Sequence, residues 1–268
     1  MHDSYVHGYD PRENERLADQ AGTLADLLHH DTIYPDGSLV LEAGCGVGAQ
    51  TVTLAKMSPG ARFVSIDISP DSVAEAERRT KEAGFSNVSF QQADIFALPF
   101  APESFDHVFV CFVLEHLPEP VKALGILKGL LKPGGTIMVI EGDHGSAYFH
   151  PESAAARAAI NCQVELQARA GGNADIGRQV YPIMKDAGFA GVRVSPRMVY
   201  VDDSRPHLIE GFTKKTFTAM IEGVRGPALS AGLMEPDEFD RGVRDLYRTA
   251  QPGGVFCYTF FKGVGVKP

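Results

Sequence analysis

The segment from Leu39 to Gly48 constrains the fold of this chain more than any other part of its sequence. An apolar run leads directly into glycines at every second position, Gly44, Gly46 and Gly48. This pattern predicts a buried strand that turns sharply into a helix, because glycine bends freely and lets a ligand approach the backbone closely. Taken alone, the loop favours a cofactor site, although a plain strand-to-helix turn has the same pattern.

The residues around this loop alternate between strand-like and helix-like patterns. We predict strands over residues 38–42, 62–66, 88–91, 105–112 and 136–141, and helices over residues 51–56, 70–84 and 121–131. Ser69 followed by Pro70 is a typical helix start, and Gly84 is a typical helix end. Strands that alternate with helices predict an α/β fold with a parallel sheet covered on both faces.

The two ends of the chain are less regular. A first amphipathic helix is expected to begin at Asp10 and end near His30. The second half predicts helices over 152–170 and 177–187 (interrupted by Pro182), a strand over 192–195, helices within 206–247 and a last strand over 255–261. We expect a single domain over residues 1–268. It comprises an amino-terminal cap helix (1–35), a core (36–143), a helical cap (144–254) and a last strand (255–268).

Composition excludes several classes of partner. Asp plus Glu number 34 against 25 for Lys plus Arg, a formal net charge of -9. An acidic chain gains nothing from the phosphate electrostatics that drive nucleic-acid binding. The longest apolar run, Val108–Leu114, is too short for a membrane span, and the first residues are polar. Four scattered cysteines predict neither a zinc site nor disulfides, so we expect a cytoplasmic protein without a bound metal.

Three acids near the loop suggest what it would bind. Asp67, about twenty residues after the first glycine, suits the ribose of either a dinucleotide or another nucleoside. Glu42, two residues before that glycine, would repel a diphosphate but can help to hold a cationic group, directly or through water. Asp94 follows the third strand, where an adenine amino group could donate to it. A nucleoside that carries positive charge and no phosphate therefore fits these acids best.

Five ordered segments resemble the class I S-adenosylmethionine-dependent methyltransferases. They are residues 42–48, 63–69, 92–95, 104–116 and 130–135, and the likeness extends from Ser38 to Asp143. It is closest to the ubiquinone/menaquinone-type group that acts on small molecules. The resemblance implies a Rossmann-like fold with a mostly parallel seven-stranded sheet, helices on both faces and a helical cap. It also implies S-adenosylmethionine as cofactor, S-adenosylhomocysteine as product and a small-molecule acceptor.

The resemblance assigns cofactor-binding roles to individual residues. Asp67 would bind the ribose hydroxyls, Ile68 would contact adenine and Asp94 would accept from the adenine amino group. The full predicted set is Tyr9, Glu42, Gly44, Cys45, Gly46, Gly48, Asp67, Ile68, Asp94, Ile95 and Cys111. Tyr9 belongs to an amino-terminal segment that is similar to the caps of natural-product enzymes.

Two histidines are candidates for a catalytic base. His116 follows the fourth strand, and His144 follows the predicted fifth strand in a loop flanked by glycines. Imidazole is suited to this role because its unperturbed pKa is near neutral. We favour His144, since His116 beside Pro118 is also explained as a helix-capping residue. Two alternatives stay open. His144 is also explained as a solvated loop residue, and methyl transfer is also explained by alignment of the reactants without a base.

Two functions outside this family stay as alternatives. Gly44, Gly46 and Ala49 also match the dinucleotide fingerprint, which would indicate an NAD(P)-dependent oxidoreductase. A non-catalytic binding protein on the same fold is the other alternative. The identity of the acceptor, the atom methylated and the oligomeric state have no signal in the sequence.

Overall fold

The computed structural model describes residues 22–268, and within that range seven strands form one sheet. The strands are β1 (Leu39–Ala43), β2 (Arg62–Asp67), β3 (Val88–Gln92), β4 (Phe105–Cys111), β5 (Leu131–His150), β6 (Ala190–Val201) and β7 (Val255–Val266). Their order is β3-β2-β1-β4-β5-β7-β6. Strands β1 to β5 pair in parallel, whereas β7 runs antiparallel to both β5 and β6. The predicted mostly parallel seven-stranded sheet is confirmed.

Helices cover both faces of this sheet. They are α1 (residues 22–29), α2 (Ala49–Met57), α3 (Pro70–Glu82), α4 (Pro120–Leu130), α5 (Ala154–Arg169), α6 (Val180–Asp186), α7 (Pro206–Leu208), α8 (Ala219–Gly223), α9 (Arg225–Ser230) and α10 (Pro236–Arg248). A π-helical segment, Ile209–Thr218, joins α7 to α8. The Ser69 hydroxyl caps α3 by accepting from the Ser72 amide at 3.2 Å, as the sequence pattern predicted.

Alternate residues of the central strands enter two separate cores. Val40 and Phe109 face the core that the helical cap completes, while Leu41 and Val108 face the core beneath α4 and α6. All four side chains are buried. Strands buried on both faces are typical of a parallel sheet between two helical layers, which explains their nearly continuous apolar sequence.

The end of α1 is fastened to the sheet by polar contacts. The ammonium group of Lys262, a buried residue of β7, donates to Asp31 Oδ1 and to Thr32 Oγ1, both at 2.6 Å. The His29 ring donates through Nε2 to Gln50 Oε1 in the first turn of α2, at 2.7 Å. Burial is the main cause that lowers the pKa of His29 to about 4. The predicted start of the first helix, at Asp10, lies outside the described residues.

The largest difference from the sequence-based expectation is the length of β5. The strand was predicted to end at Glu141, but it continues to His150 by pairing with β7, with a register shift between Asp143 and Tyr148. Gly142 suggested a loop, yet a Cβ there would collide with the Tyr258 hydroxyl. Position 142 is therefore a glycine because of close packing inside a strand, and not because the chain forms a loop. The predicted loop after residue 141 was wrong.

The cap differs from its prediction in detail. A single helix was predicted over residues 177–187. The structure has a short 3-10 helix there, Ile176–Gln179, followed by α6. Pro182 does not interrupt α6, because it occupies the first turn, where a backbone amide has no helical partner. The last strand, predicted over 255–261, extends to Val266. Within residues 22–268, no helix has both the length and the apolar content that a bilayer span requires.

Candidate functional site

The three glycines after β1 differ in what surrounds them. All have positive φ, 81° at Gly44, 50° at Gly46 and 78° at Gly48. A Cβ on Gly44 would strike the Val113 side chain, and one on Gly48 would lie 2.8 Å from Ala76 Cα. A Cβ on Gly46 would meet nothing within 4 Å. Packing therefore explains the outer glycines, while the middle one borders open space.

The amide groups of this loop are already used within the chain. Gly44 and Cys45 both donate to the Ile66 carbonyl at 2.8 Å. The Gly46 amide donates to Asp67 Oδ2 at 2.9 Å. Glycine loops hold diphosphates through free backbone amides. With these three amides occupied, the loop is poorly suited to a diphosphate.

Glu42 lies beneath the loop at the end of β1 and is 2% exposed. Its Oε2 accepts from the Ser65 hydroxyl at 2.6 Å and from the Thr51 hydroxyl at 2.7 Å. Burial, with a smaller contribution from the charge of Asp67, raises the pKa of Glu42 to about 7. The side chain thus links β1 to β2 and α2. Its predicted contact with a bound cation stays a prediction.

Asp67 ends β2 and lies beside the loop. Besides the Gly46 contact, its Oδ1 accepts from the Ser69 amide at 2.9 Å. Burial raises its pKa, against the effect of these backbone hydrogen bonds. The next residue, Ile68, leaves the sheet with 41% of its surface exposed, and its contact with a ligand stays a prediction.

Asp94 and Ile95 follow β3 at the same edge of the sheet. The Asp67 carbonyl accepts from the Ala93 amide at 3.0 Å, which holds the ends of β2 and β3 together. Asp94 is exposed and caps a 3-10 turn by accepting from the Phe96 amide at 2.8 Å. Ile95 is buried. The structure therefore brings the predicted acids to one edge, although their ligand contacts remain predictions.

The end of β4 contains two features that sequence reasoning missed. Phe112, directly after Cys111, has φ of 57°, a left-handed conformation that is strained for a bulky residue. The chain then turns so that the Val113 and Leu114 amides donate to Glu141 Oε1, at 3.1 and 2.8 Å. No pattern in the neighbouring sequence predicts the positive φ of Phe112. Glu141 was visible only as an acid at the end of a predicted strand. Cys111 itself is buried at this edge.

His116 lies where the sequence placed it, in the turn after β4. It ends the 3-10 helix Leu114–His116 and is partly exposed. Its Nε2 lies 3.6 Å from Glu115 Oε1. The Glu115 carboxylate also accepts from Gln167 Nε2 at 3.2 Å, and the same amide group donates to the Glu115 carbonyl at 3.0 Å.

His144 lies in β5, not in a solvated loop, and is only 6% exposed. Its Nδ1 is 3.1 Å from the Ala174 carbonyl and 3.1 Å from the Tyr258 hydroxyl. Nε2 is buried without a partner in the described part of the chain. Desolvation lowers the pKa of His144, against the attraction of Glu115 and nearby aspartates.

Glu115, Glu141, His144 and Gln167 form what we call the inner polar cluster. Glu141 is fully buried, and its Oε2 has no partner among residues 22–268. Burial, reinforced by the charge of Glu115, raises the pKa of Glu141 well above its usual range. Tyr9, the remaining predicted site residue, precedes the described residues. In residues 22–268 no group of three His, Cys, Asp or Glu side chains is arranged to hold a metal ion.

Comparison with known sequences identifies the family. Residues 35–188, more than half of the chain, match the family model described as a methyltransferase domain. This chain belongs to that family, which confirms the resemblance seen in its motifs.

Two relatives illustrate the extent of the similarity. A 37.1 kDa uncharacterized protein of a Streptomyces fradiae transposon is 33% identical over 73% of this chain and 56% of its own length. The demethylmenaquinone methyltransferase of Thermus thermophilus is 36% identical over 38% of this chain and 46% of its own length. The chain thus spans about half the length of these relatives.

A solved structure shares the fold. Phosphoethanolamine N-methyltransferase 2 of Haemonchus contortus, in complex with phosphomonomethylethanolamine and S-adenosylhomocysteine, superposes with a TM-score of 0.58. The sequences are 19% identical, and the match covers 92% of this chain and 53% of the other. The similarity confirms the Rossmann-like methyltransferase fold.

Proposed function

We propose that this protein is an S-adenosylmethionine-dependent methyltransferase that acts on a small molecule. The family supplies the class, and one observation favours this cofactor over a dinucleotide. The amides of Gly44, Cys45 and Gly46 donate to Ile66 and Asp67 and are therefore not available to a diphosphate, while a Cβ on Gly46 would meet no atom within 4 Å. An oxidoreductase is therefore the weaker alternative.

The residues at the edge of the sheet fit such a ligand. Its amino-acid portion would pass Gly46, above the carboxyl group of Glu42. Asp67 would accept from the ribose hydroxyls, and Asp94 from the adenine amino group, with Ile68 against the ring. When bound, the cofactor supplies a methyl group activated by positively charged sulfur. The protein's own contribution is to align the acceptor and to exclude water from it.

We further propose that His144, and not His116, accepts a proton from the acceptor. His144 is buried and held through Nδ1, so its free Nε2 has a fixed direction. His116 is partly exposed and adjacent to the Glu115 carboxylate. A fixed, desolvated ring is better suited to remove a proton at a defined position.

Calorimetric titration tests the cofactor directly. We expect S-adenosylmethionine and S-adenosylhomocysteine to bind with micromolar-order affinity and NADH to give no heat of binding. Binding of NADH without S-adenosylhomocysteine would overturn the proposal in favour of an oxidoreductase. Binding of S-adenosylhomocysteine without turnover on any acceptor in a metabolite screen would favour a non-catalytic protein.

We also propose a cytoplasmic location, and the thiols of the protein support it. Cys45, Cys111, Cys162 and Cys257 are all free. Free thiols are typical of reducing compartments, which supports a cytoplasmic location. The negative net charge supports a small acceptor over a nucleic acid.

A further inference from the structure

The strand around His144 is bonded to a segment that precedes α6. The His144 amide donates to the carbonyl of Ala174 at 3.1 Å. The Gly145 amide donates to Oδ1 of Asp175 at 2.8 Å. Two consecutive residues of β5 are thus bonded to two consecutive residues of this segment, which fixes the position of one against the other.

The far end of the segment, residues 173–178, is fastened to the same strand by an ion pair. Asp143, which is buried, accepts from Nε and Nη2 of Arg178 at 2.8 and 2.6 Å. A Cβ on Gly145 would collide with the Arg178 guanidinium group, so glycine permits this close approach. Side chains of the segment therefore hold β5 on both sides of His144.

The peptide bond between Ala174 and Asp175 is held at both of its polar groups. Its N–H donates to Oδ1 of Asn173 at 3.0 Å. Its carbonyl oxygen accepts the His144 amide and also lies 3.1 Å from Nδ1 of the His144 ring. Because a peptide group is planar, contacts that fix Asp175 also fix the direction of the Ala174 carbonyl.

Two groups compete for Nδ1 of His144. The Ala174 carbonyl and the Tyr258 hydroxyl each lie 3.1 Å from it. A carbonyl only accepts, so with Ala174 in this position the ring hydrogen resides on Nδ1. A hydroxyl also donates, and without the carbonyl the Tyr258 hydroxyl would favour a bare Nδ1 with the hydrogen on Nε2. The Ala174 carbonyl therefore decides the tautomer of the neutral ring.

We propose that Asp175 is a positioning residue for His144. Its hydrogen bond with the Gly145 amide holds the Ala174 carbonyl at Nδ1, which selects the tautomer with a bare Nε2. Only a bare nitrogen can take up a proton, so the other tautomer could not act as a base. This inference rests on the proposed role of His144 and explains how the chain prepares the ring for it.

Nitrogen NMR of the histidine rings shows the tautomer with no acceptor present. Burial lowers the pKa of His144, so the ring is neutral at mildly alkaline pH. With ¹⁵N-labelled histidine, we expect a hydrogen on Nδ1 and a bare Nε2. His144→Gln identifies these signals by their disappearance. A hydrogen on Nε2 in the native protein would overturn the proposal.

Two substitutions of Asp175 separate its hydrogen bond from its charge, which also acts on His144. Asp175→Ala removes both and should move the tautomer ratio about tenfold towards a hydrogen on Nε2, the effect of one lost hydrogen bond. Asp175→Asn keeps an oxygen that accepts from Gly145 and should retain the native ratio within about twofold. Asp186→Ala, at an exposed position of α6, is the matched control. A native ratio in Asp175→Ala, or an equal shift in the alanine and asparagine variants, would contradict the proposal.

Two further variants test the competition at Nδ1. Asn173→Ala releases the N–H of the same peptide group and should shift the ratio in the same direction as Asp175→Ala. Tyr258→Phe removes the competing donor, so Asp175→Ala should shift the ratio much less in that background. Equal shifts with and without the Tyr258 hydroxyl would also overturn the proposal. Melting temperatures check that each variant is folded.

Kinetics distinguish a failure of this inference from a failure of the proposed base. Turnover of Asp175→Ala should fall with the population of the bare Nε2, while S-adenosylhomocysteine affinity stays unchanged. A shifted tautomer ratio with undiminished turnover in His144→Ala would show that Asp175 positions the ring but that His144 is not the base. An unshifted ratio with diminished turnover in His144→Ala would retain the base and exclude the positioning role of Asp175.

Discussion

The two halves of the sheet edge use their buried polar groups in opposite ways. On the side of β1 and β2, the carboxyl oxygens of Glu42 and Asp67 accept hydrogen bonds from the chain itself. On the side of β5, Glu141 and His144 each keep a buried atom without a partner in residues 22–268. The first side is hydrogen-bonded before any ligand arrives, whereas the second leaves two buried polar atoms for a ligand or water to pair with. This difference predicts that loop substitutions affect cofactor affinity and that β5 substitutions affect turnover.

The largest expected effect comes from Gly46→Val. The new side chain would enter the open space beside the loop, and we expect no detectable S-adenosylhomocysteine binding by calorimetry. The strain of a non-glycine residue at positive φ is about 1–2 kcal/mol, so the fold should persist. Circular dichroism and the melting temperature check this.

Two further variants control for the loop's geometry. Gly46→Ala carries similar backbone strain with little bulk and should retain most of the affinity. Gly48→Val should instead disrupt the fold, because its side chain would meet the backbone of α3 at Ala76. If Gly46→Val bound with near-normal affinity, the loop would be only a strand-to-helix turn.

The second prediction concerns β5. Loss of a general base typically lowers turnover by about a hundredfold or more, which we expect for His144→Ala. Its S-adenosylmethionine affinity should stay within about twofold, because His144 is not one of the predicted cofactor-binding residues. His116→Ala should have the smaller effect. Near-normal rates for both variants would mean that alignment and desolvation alone drive the reaction.

The third prediction concerns Asp67, on the preformed side. Asp67→Ala should weaken S-adenosylhomocysteine binding by about 1–3 kcal/mol, the contribution of a charge-assisted contact with two hydroxyls. Turnover at saturating cofactor should change far less. Asp71→Ala, in the first turn of α3, is a control that removes a nearby acid outside the site. Identical titration curves for Asp67→Ala and the native protein would exclude Asp67 from the cofactor site.

The same difference between the two sides of the sheet edge explains which site residues could be predicted from the sequence. Around Gly44 and Asp67, function depends on a short motif whose neighbours in sequence are also neighbours in space. His144 and Glu141 depend on pairing with β7, more than a hundred residues later, and on the turn at residues 173–174. The periodicity of apolar residues along the chain does not predict contacts between segments that are distant in sequence. The glycines at 142 and 145 therefore suggested a loop, although both lie within a strand, where Gly142 packs against Tyr258 and Gly145 lies beside Arg178.

The smallest expected effect is a pair of opposing pH dependences in stability. Glu42 has a folded-state pKa of about 7, above its ordinary value of 4.5. The native state therefore binds its proton more tightly, and stability falls as pH rises from about 4.5 to 7. His29, with a folded-state pKa of about 4, below its ordinary value of 6.5, acts in reverse: stability falls as pH drops from about 6.5 to 4.

Between pH 4.5 and 6.5 these two contributions oppose each other in the native protein, and single variants should separate them. Each amounts to at most about 1.4 kcal/mol per pH unit. Relative to the native protein, Glu42→Gln should gain stability as pH rises through this range, because it removes the cost of ionising a buried acid. His29→Asn should gain stability as pH falls, because it removes the cost of protonating a buried ring.

Urea unfolding at several pH values measures these differences in stability directly. The contributions of other titrating groups cancel where they are independent of the substituted residue. A parallel pH profile for Glu42→Gln and the native protein would show that Glu42 is already ionised in the folded state. The side of β1 and β2 would then hold a buried charge that its two hydroxyl partners suffice to stabilise.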